Sequence, residues 1–245
     1  MKALLLVAGV GSRLRPLTDT VPKCMLKINR KPLLQIWLEK LDGCGVKDIL
    51  VNTHLLPDKI EKFLKRCQIG EQKVTTIHEP ELLGSAGTLW ANRERFDDDQ
   101  PFFIIYGDNL TDMDLNEMLK FHKKHGMLFT LGVFKSERPT ECGIVEVNEA
   151  GTVISFEEKP AEPKSDMAAA GVYIADRRLI GFFPEGAGSI RPLDLGFHVL
   201  PKLVGKMKGF PIAGTFIDIG TPDAYERAQY MWRIKGKNIR GKYLC

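Results

Sequence analysis

Between residues 3 and 108, short apolar runs alternate with amphipathic helical stripes, and no other feature constrains the fold as strongly. The first run, 3–8, ends in a glycine turn. Residues 32–43 then carry Leu34, Trp37, Leu38 and Leu41 at i, i+3, i+4 and i+7, behind Pro32 and ahead of Gly43. That spacing places all four on one helical face, with proline in the first turn and glycine near the end. "KDILVNT" reads as a buried strand, 57–67 as a second striped helix, "KVTTIHE" as a strand and 86–95 as a helix. "PFFIIYGD" is apolar on both faces of an extended chain, so it belongs inside a sheet covered on both sides. This order of elements predicts an α/β fold: a Rossmann-like, doubly wound, mixed and mainly parallel sheet with helices on both faces.

From about residue 127 the strands follow closely: "MLFTLGVF", "GIVEVN", "TVISFEE" and "AAAGVYIA", with a hairpin turn at Glu149-Ala150-Gly151. Helices return at 195–204 and at 221–232, the second opened by Thr221 as N-cap and Pro222. With no internal repeat or linker, residues 1–232 read as a single domain with a smaller β-rich part. Residues 233–245 form a basic tail, read as a surface tail or a homo-oligomer contact.

Charge and cysteine usage narrow the function classes. The net charge of +4 is small for 245 residues, with acids interleaved among the bases, which argues against nucleic acid or membrane partners. Cysteines 24, 44, 67, 142 and 245 contain no CxxC pair, which fits neither a disulfide framework nor a zinc site and suits a reducing cytoplasm. "ALLLVAGVG" breaks at Ser12-Arg13 with no small-residue cleavage site after it, so it reads as a strand rather than a signal peptide. No run approaches the ~18 apolar residues of a spanning helix.

Gly9 and Gly11 invite comparison with the dinucleotide fingerprint G-x-G-x-x-G, which fails because position 14 is leucine. A Walker loop fails for want of G-K-[ST] at the required spacing. What remains is a strand, a glycine turn and then Arg13, Arg15 and Lys23. The backbone N–H groups of such a turn bind phosphate oxygens, Arg13 adds a forked contact and Lys23 a point charge. A plain strand-to-helix turn with exposed bases is the alternative.

The full string "LLVAGVGSRLRPLTDTVPKCMLKI" resembles the GxGxRLxPLT…PKPM signature of the sugar-phosphate nucleotidyltransferases. "EPELLGSAGTL", "YGDNL", "FEEKP", "AAGVYI" and "FIDIGTPDAY" resemble that family's later blocks, in the same order and over nearly the whole chain. The resemblance implies that residues 1–232 form the catalytic domain of an enzyme joining a nucleoside triphosphate to a sugar 1-phosphate, releasing pyrophosphate. GTP and mannose 1-phosphate are the expected pair, supplying polysaccharide synthesis in the cytoplasm. Family members often carry further C-terminal domains, and no left-handed repeat follows here.

The residue roles implied are as follows. Asp108 and Asp218 hold Mg²⁺, and Arg13 and Lys23 meet the phosphates of the nucleotide. Ala8, Gly9, Gly11, Ser12, Gly84, Ser85 and Gly107 line the rest of the nucleotide site. Glu79 lies at the edge of the base, where an acceptor-only carboxylate favours guanine or cytosine. Lys159 binds the sugar phosphate and Glu158 the sugar hydroxyls, beside Gly143, Ala169 and Gly171. The residues themselves support the metal pair independently: Asp108 ends an apolar strand at the edge where open α/β sheets bind ligands, and Asp218 sits among apolar neighbours. Each could alternatively be a cap or turn former.

Two positions depart from the pattern. Cys24 replaces the usual proline and reads as a buried thiol, and Ala169 replaces a sugar-binding asparagine, which leaves the sugar open. Glucose, heptose or phosphocholine-like acceptors with dTTP, UTP or CTP are the rival chemistries, and a non-catalytic nucleotide-sugar-binding regulator is the rival class. His122 and His125, in "FHKKH", read as a solvated helix face.

Overall fold

The computed structural model describes the backbone of residues 1–241 and the side chains of residues 1–234. The chain runs β1 (Lys2–Leu6), a short α1 (Leu17–Thr20), the small pair β2 (Lys27–Ile28) and β3 (Lys31–Pro32), α2 (Leu33–Gly43), β4 (Asp48–Thr53), α3 (Pro57–Leu64) and β5 (Lys73–His78). It continues through α4 (Ser85–Ala91), β6 (Phe102–Tyr106), β7 (Asn109–Thr111), α5 (Leu115–His125), β8 (Phe129–Lys135), β9 (Gly143–Val147), β10 (Val153–Glu158) and β11 (Met167–Ala175). It closes with α6 (Leu195–His198), β12 (Met207–Pro211), β13 (Phe216–Asp218) and α7 (Pro222–Gly241).

The main sheet has the order β10-β9-β11-β6-β1-β4-β5, with β8 pairing both β11 and β12. Strands β6, β1, β4 and β5 are mutually parallel, and β11 joins β6 antiparallel. The fold is therefore the expected Rossmann-like α/β arrangement, with a parallel half from the first 108 residues and a largely antiparallel half from the rest. The apolar runs are continuous because both faces are covered. Ala3, Leu5, Phe103 and Ile105 pack into one core with α2, while Leu4, Phe102 and Ile104 pack into a second on the other face. The stripe on α2 is the buried one, since Leu34, Trp37, Leu38 and Leu41 are all within the first core. Each such side chain contributes roughly 1.5–3 kcal/mol when fully buried.

Several expectations needed correction. The helix over 195–204 is two short pieces, α6 and a 3-10 turn at Leu200–Leu203, because Pro201 has no N–H to continue an α-helical ladder. The helices placed at 57–67 and 86–95 end sooner, at Leu64 and Ala91. Helix α7 runs on to Gly241, so much of the segment read as a tail is helical backbone, and residues 242–245 lie outside the described residues. The hairpin forms as expected, with Gly151 at φ +76° donating to the Asn148 carbonyl.

His122 and His125 are not a solvated face. His122 is buried, and its Nδ1 lies 2.7 Å from Thr130 Oγ1 on β8, with His125 Nε2 at 2.8 Å from the same oxygen. Among the described residues, no helix is long and apolar enough to cross a membrane.

Candidate active site

The first wall of the site is the turn after β1. Gly11 has φ +66° and opens the 3-10 turn Ser12–Leu14, and its carbonyl accepts from Thr18 Oγ1 at 2.8 Å. A side chain there would be strained, and its Cβ would stand 3.0 Å from Thr18 Cγ2. Gly9 differs, because a Cβ there would face open space, so backbone is presented directly to whatever occupies the site. Leu14, at the place of a third fingerprint glycine, is fully buried. Arg15 turns away to pair with Asp19 at 3.3 Å.

The centre is built from three distant segments. Strand β6 delivers Gly107 and Asp108 beside the end of β1, and Gly107 makes this possible, since a Cβ would lie 2.5 Å from Val7 Cγ1. The small antiparallel pair β7–β13 then registers Asp218 opposite Asn109, which carries Asp218 to the neighbour of Asp108. Lys23 lies between them, its Nζ 2.7 Å from Asp108 Oδ2 and 3.1 Å from Asp218 Oδ1, with only 8% of the residue exposed. Burial would push the Lys23 ammonium down, but the charges of Asp108 and then Asp218, with their hydrogen bonds, outweigh it and leave it raised. Arg13 stands at the rim, 4.0 Å from Asp218 and 3.9 Å from Glu141. Gly220 admits both cations, because a Cβ there would come within 2.8 Å of Arg13 Nη2 and 3.1 Å of Lys23 Nζ.

These carboxylates already accommodate a cation. Two oxygens of opposite residues converge on one ammonium, and hard oxygen donors of this type suit Mg²⁺, which takes a few carboxylates and completes its shell with phosphate and water. The donor set fits the expected ion, and Asp108 and Asp218 are the residues that would hold it. Among the described residues there is no cluster of three or more His, Cys, Asp or Glu suited to a metal. Cys24, beside Lys23 in the chain, is a buried thiol as expected, pushed up to about 12 by burial first.

The loop after β5 forms the next wall. Gly84 has φ +83°, and a Cβ there would strike the Leu193 carbonyl. Glu79 is placed differently from expectation. Only 2% exposed, it spends Oε1 on Asn52 Nδ2 and Thr88 Oγ1 and Oε2 on the Leu83 N–H. Asn52 in turn accepts from Val7 N at 2.7 Å, so Glu79 anchors this loop to the end of β1 rather than offering a free acceptor.

The residues expected to meet the sugar phosphate form a second group. Glu158 ends β10 and sits against Gly143, where a Cβ would come within 2.7 Å of its Oε2. Burial first, then the neighbouring Asp194, push the Glu158 carboxyl up, against the pull of Lys159. Lys159 is held at φ +49°, half exposed, with Nζ 4.0 Å from Glu158 Oε1 and 6.0 Å from the Phe197 ring. Ala169 lies on β11 at a register shift, and Gly171, φ +64°, leaves room for the Tyr106 ring. A cleft of about 840 Å³ is lined by Arg13, Asp218 and Gly220 of the first group and Lys159 of the second, with Glu141 and Cys142 on its wall.

Sequence reasoning passed over Asn52, Glu141, Asp194 and Gly220. Only Asp194 carried a local signal, as a capping residue before a short helix, and the others acquire meaning through partners distant in the chain.

A glycine turn at the end of the first parallel strand, a lysine between two converging carboxylates and an adjoining cleft lie together at one edge of a Rossmann-like α/β sheet. Residues 2–233 match the family described as nucleotidyl transferase, and the chain belongs to that family. It is 33% identical over 238 residues to the mannose-1-phosphate guanylyltransferase catalytic subunit beta of Danio rerio, covering 95% of this chain and 64% of that one. It is 34% identical over 230 residues to the mannose-1-phosphate guanyltransferase of Aspergillus oryzae, covering 91% and 61%. The chain thus spans less than two thirds of the length of these relatives. Its structure is similar to that of HddC from Yersinia pseudotuberculosis, with 25% identity, a TM-score of 0.77 and coverage of 94% and 99%. It also shares the fold of a UDP-glucose pyrophosphorylase complexed with UDP-glucose, at 21% identity, a TM-score of 0.79 and coverage of 96% and 98%.

Proposed function

We propose that this chain is a magnesium-dependent nucleotidyltransferase that joins GTP to mannose 1-phosphate, forming GDP-mannose and pyrophosphate, and that 1–232 is its catalytic domain. The observation that carries the reaction type is the convergence of Asp108 and Asp218 on Lys23 beside the glycine turn. The names of the relatives, mannose-1-phosphate guanylyltransferases of an animal and a fungus, support the choice of substrates. The buried carboxylate of Glu79 does not add to that choice. Free thiols at Cys24, Cys44, Cys67 and Cys142 agree with a cytoplasmic setting.

An oxygen of the sugar phosphate attacks the α-phosphorus of the nucleotide, and pyrophosphate leaves in line. A phosphate monoester has a second pKa of about 6, so the attacking oxygen is already ionised at neutral pH and no general base is needed. The work of the protein is to bring two polyanions together and hold them. Lys23 and Arg13 take the nucleotide phosphates, Lys159 the phosphate of the acceptor, and Glu158 the sugar hydroxyls. Asp108 and Asp218 would hold the magnesium ion, which would supply charge neutralisation at the phosphates.

The test is pyrophosphate release by the purified protein with magnesium, over a grid of nucleoside triphosphates against mannose, glucose and heptose 1-phosphates and phosphocholine. Release confined to GTP with mannose 1-phosphate is expected. Release with a different pair replaces the substrates, and a blank grid with nucleotide binding retained points to a non-catalytic regulator.

A further inference from the structure

The walls that meet the two substrates come from loops far apart in sequence, 83–88 and 193–197, and the structure fastens them to each other. Leu193 O accepts from Ala86 N and Gly87 N at 3.0 and 2.9 Å, and Leu193 N donates to Leu83 O at 2.8 Å. Ser85 Oγ donates to Asp194 Oδ2 and accepts from Leu195 N, both at 2.8 Å. Asp194 Oδ1 accepts from Gly196 N at 2.8 Å and Phe197 N at 3.4 Å. On the far side of that turn Gly196 has no Cβ, and the Glu158 side chain fills the space.

An aspartate is not needed merely to start a short helix, since asparagine or serine caps as well. Its negative charge adds to burial in pushing the neighbouring carboxyl of Glu158 up, against the pull of Lys159. The two oxygens of Asp194 bridge separate loops, one taking the Ser85 hydroxyl and the other the Gly196 N–H, which a cap alone does not require.

We propose that Asp194 is a positioning residue: through Ser85 and Gly196 it holds the nucleotide loop and the acceptor carboxylate Glu158 in one fixed relation. The proposal rests on the reading of Glu158 as the sugar-binding group. It makes the two substrate sites one rigid unit, so that a change at the nucleotide loop is felt at the acceptor.

The experiment compares wild type, S85A, D194N and the double variant by two readouts. One is the titration of the Glu158 carboxyl by ¹³C NMR in the ligand-free protein, and the other is the pair of KM values for GTP and mannose 1-phosphate. D194N is expected to lower the Glu158 titration point, because a like charge is removed. S85A, whose hydroxyl bonds Asp194 and Leu195 and also meets the buried Tyr106, is expected to shift it as well, and to have less effect in the D194N background than in wild type. Each single change should raise both KM values about tenfold, the scale of one charge-assisted hydrogen bond. A merely structural tie would lower Tm and leave the titration and both KM values in place, and that result overturns the proposal. S85A keeps all three backbone hydrogen bonds between the loops, so it carries the test should D194N fail to fold. A wild type that turns over no substrate pair defeats the functional reading, while the NMR readout still decides whether Ser85 and Asp194 act on Glu158.

Discussion

Lys23 holds a place that a metal ion would contest. Its ammonium balances two carboxylates that would otherwise face each other at the end of β6 and β13. Asp108 and Asp218 are a third to a half exposed, so solvent screening limits the stabilisation to about 1 kcal/mol. Lys23→Met should therefore lower the ligand-free Tm by roughly 2–4 °C, and magnesium should restore part of that loss by replacing the missing charge. A Tm that ignores magnesium in this variant would remove the two aspartates from the metal site. Gly84 gives a sharper effect of a different origin. Gly84→Ala adds a left-handed strain and drives a methyl into the Leu193 carbonyl, which should destabilise by about 2 kcal/mol or more in chemical denaturation. Lys159→Ala should raise KM for the sugar phosphate while sparing that for the nucleotide, and unchanged steady-state constants would exclude it from the acceptor site.

At the scale of elements, α5 and β8 are joined by an imidazole pair that share one threonine hydroxyl. Burial first, then the neighbouring His125, push the His122 imidazole down to about 4 from the usual 6.5. The unfolded chain takes up a proton below pH 6.5 that the folded protein refuses, so stability present above 6.5 is lost as pH falls towards 4. At about 1.4 kcal/mol per pH unit, wild type should lose roughly 1–2 kcal/mol more than His122→Gln between pH 6.5 and 5, as read from urea unfolding. Equal losses in the two proteins would mean that His122 titrates freely. The sequence misleads here because "FHKKH" looks polar throughout, whereas burial of His122 depends on β8 arriving beside the helix. The long stripes were legible, as on α2, because four apolar residues at helical spacing need no partner to be recognised. Short pairs such as β7–β13 were not, because three residues carry too little periodicity to declare a strand.

For the whole molecule, the proposed chemistry predicts linkage between ligand and stability. GTP with magnesium at 100 times its Kd should add about 2.7 kcal/mol, raising Tm by roughly 5–10 °C, and chelating the metal should remove most of that rise. Asp218→Asn should behave like the chelated wild type. The same shift with and without magnesium would show that the triphosphate binds independently of the carboxylate pair.

Much of this architecture was written locally. Alternating apolar runs and helical stripes dictate a covered, Rossmann-like sheet, and the glycine turn with its bases stands out after the first strand, since periodicity and turn chemistry act over a few residues. What only the tertiary structure decided is which distant groups meet. Asp218 reaches Asp108 through the pairing of β13 with β7, Glu79 turns inward to Asn52, and Ser85 finds Asp194 across two loops. Such meetings depend on how separate segments pack and register, and no local pattern encodes the partner at the other end of the bond.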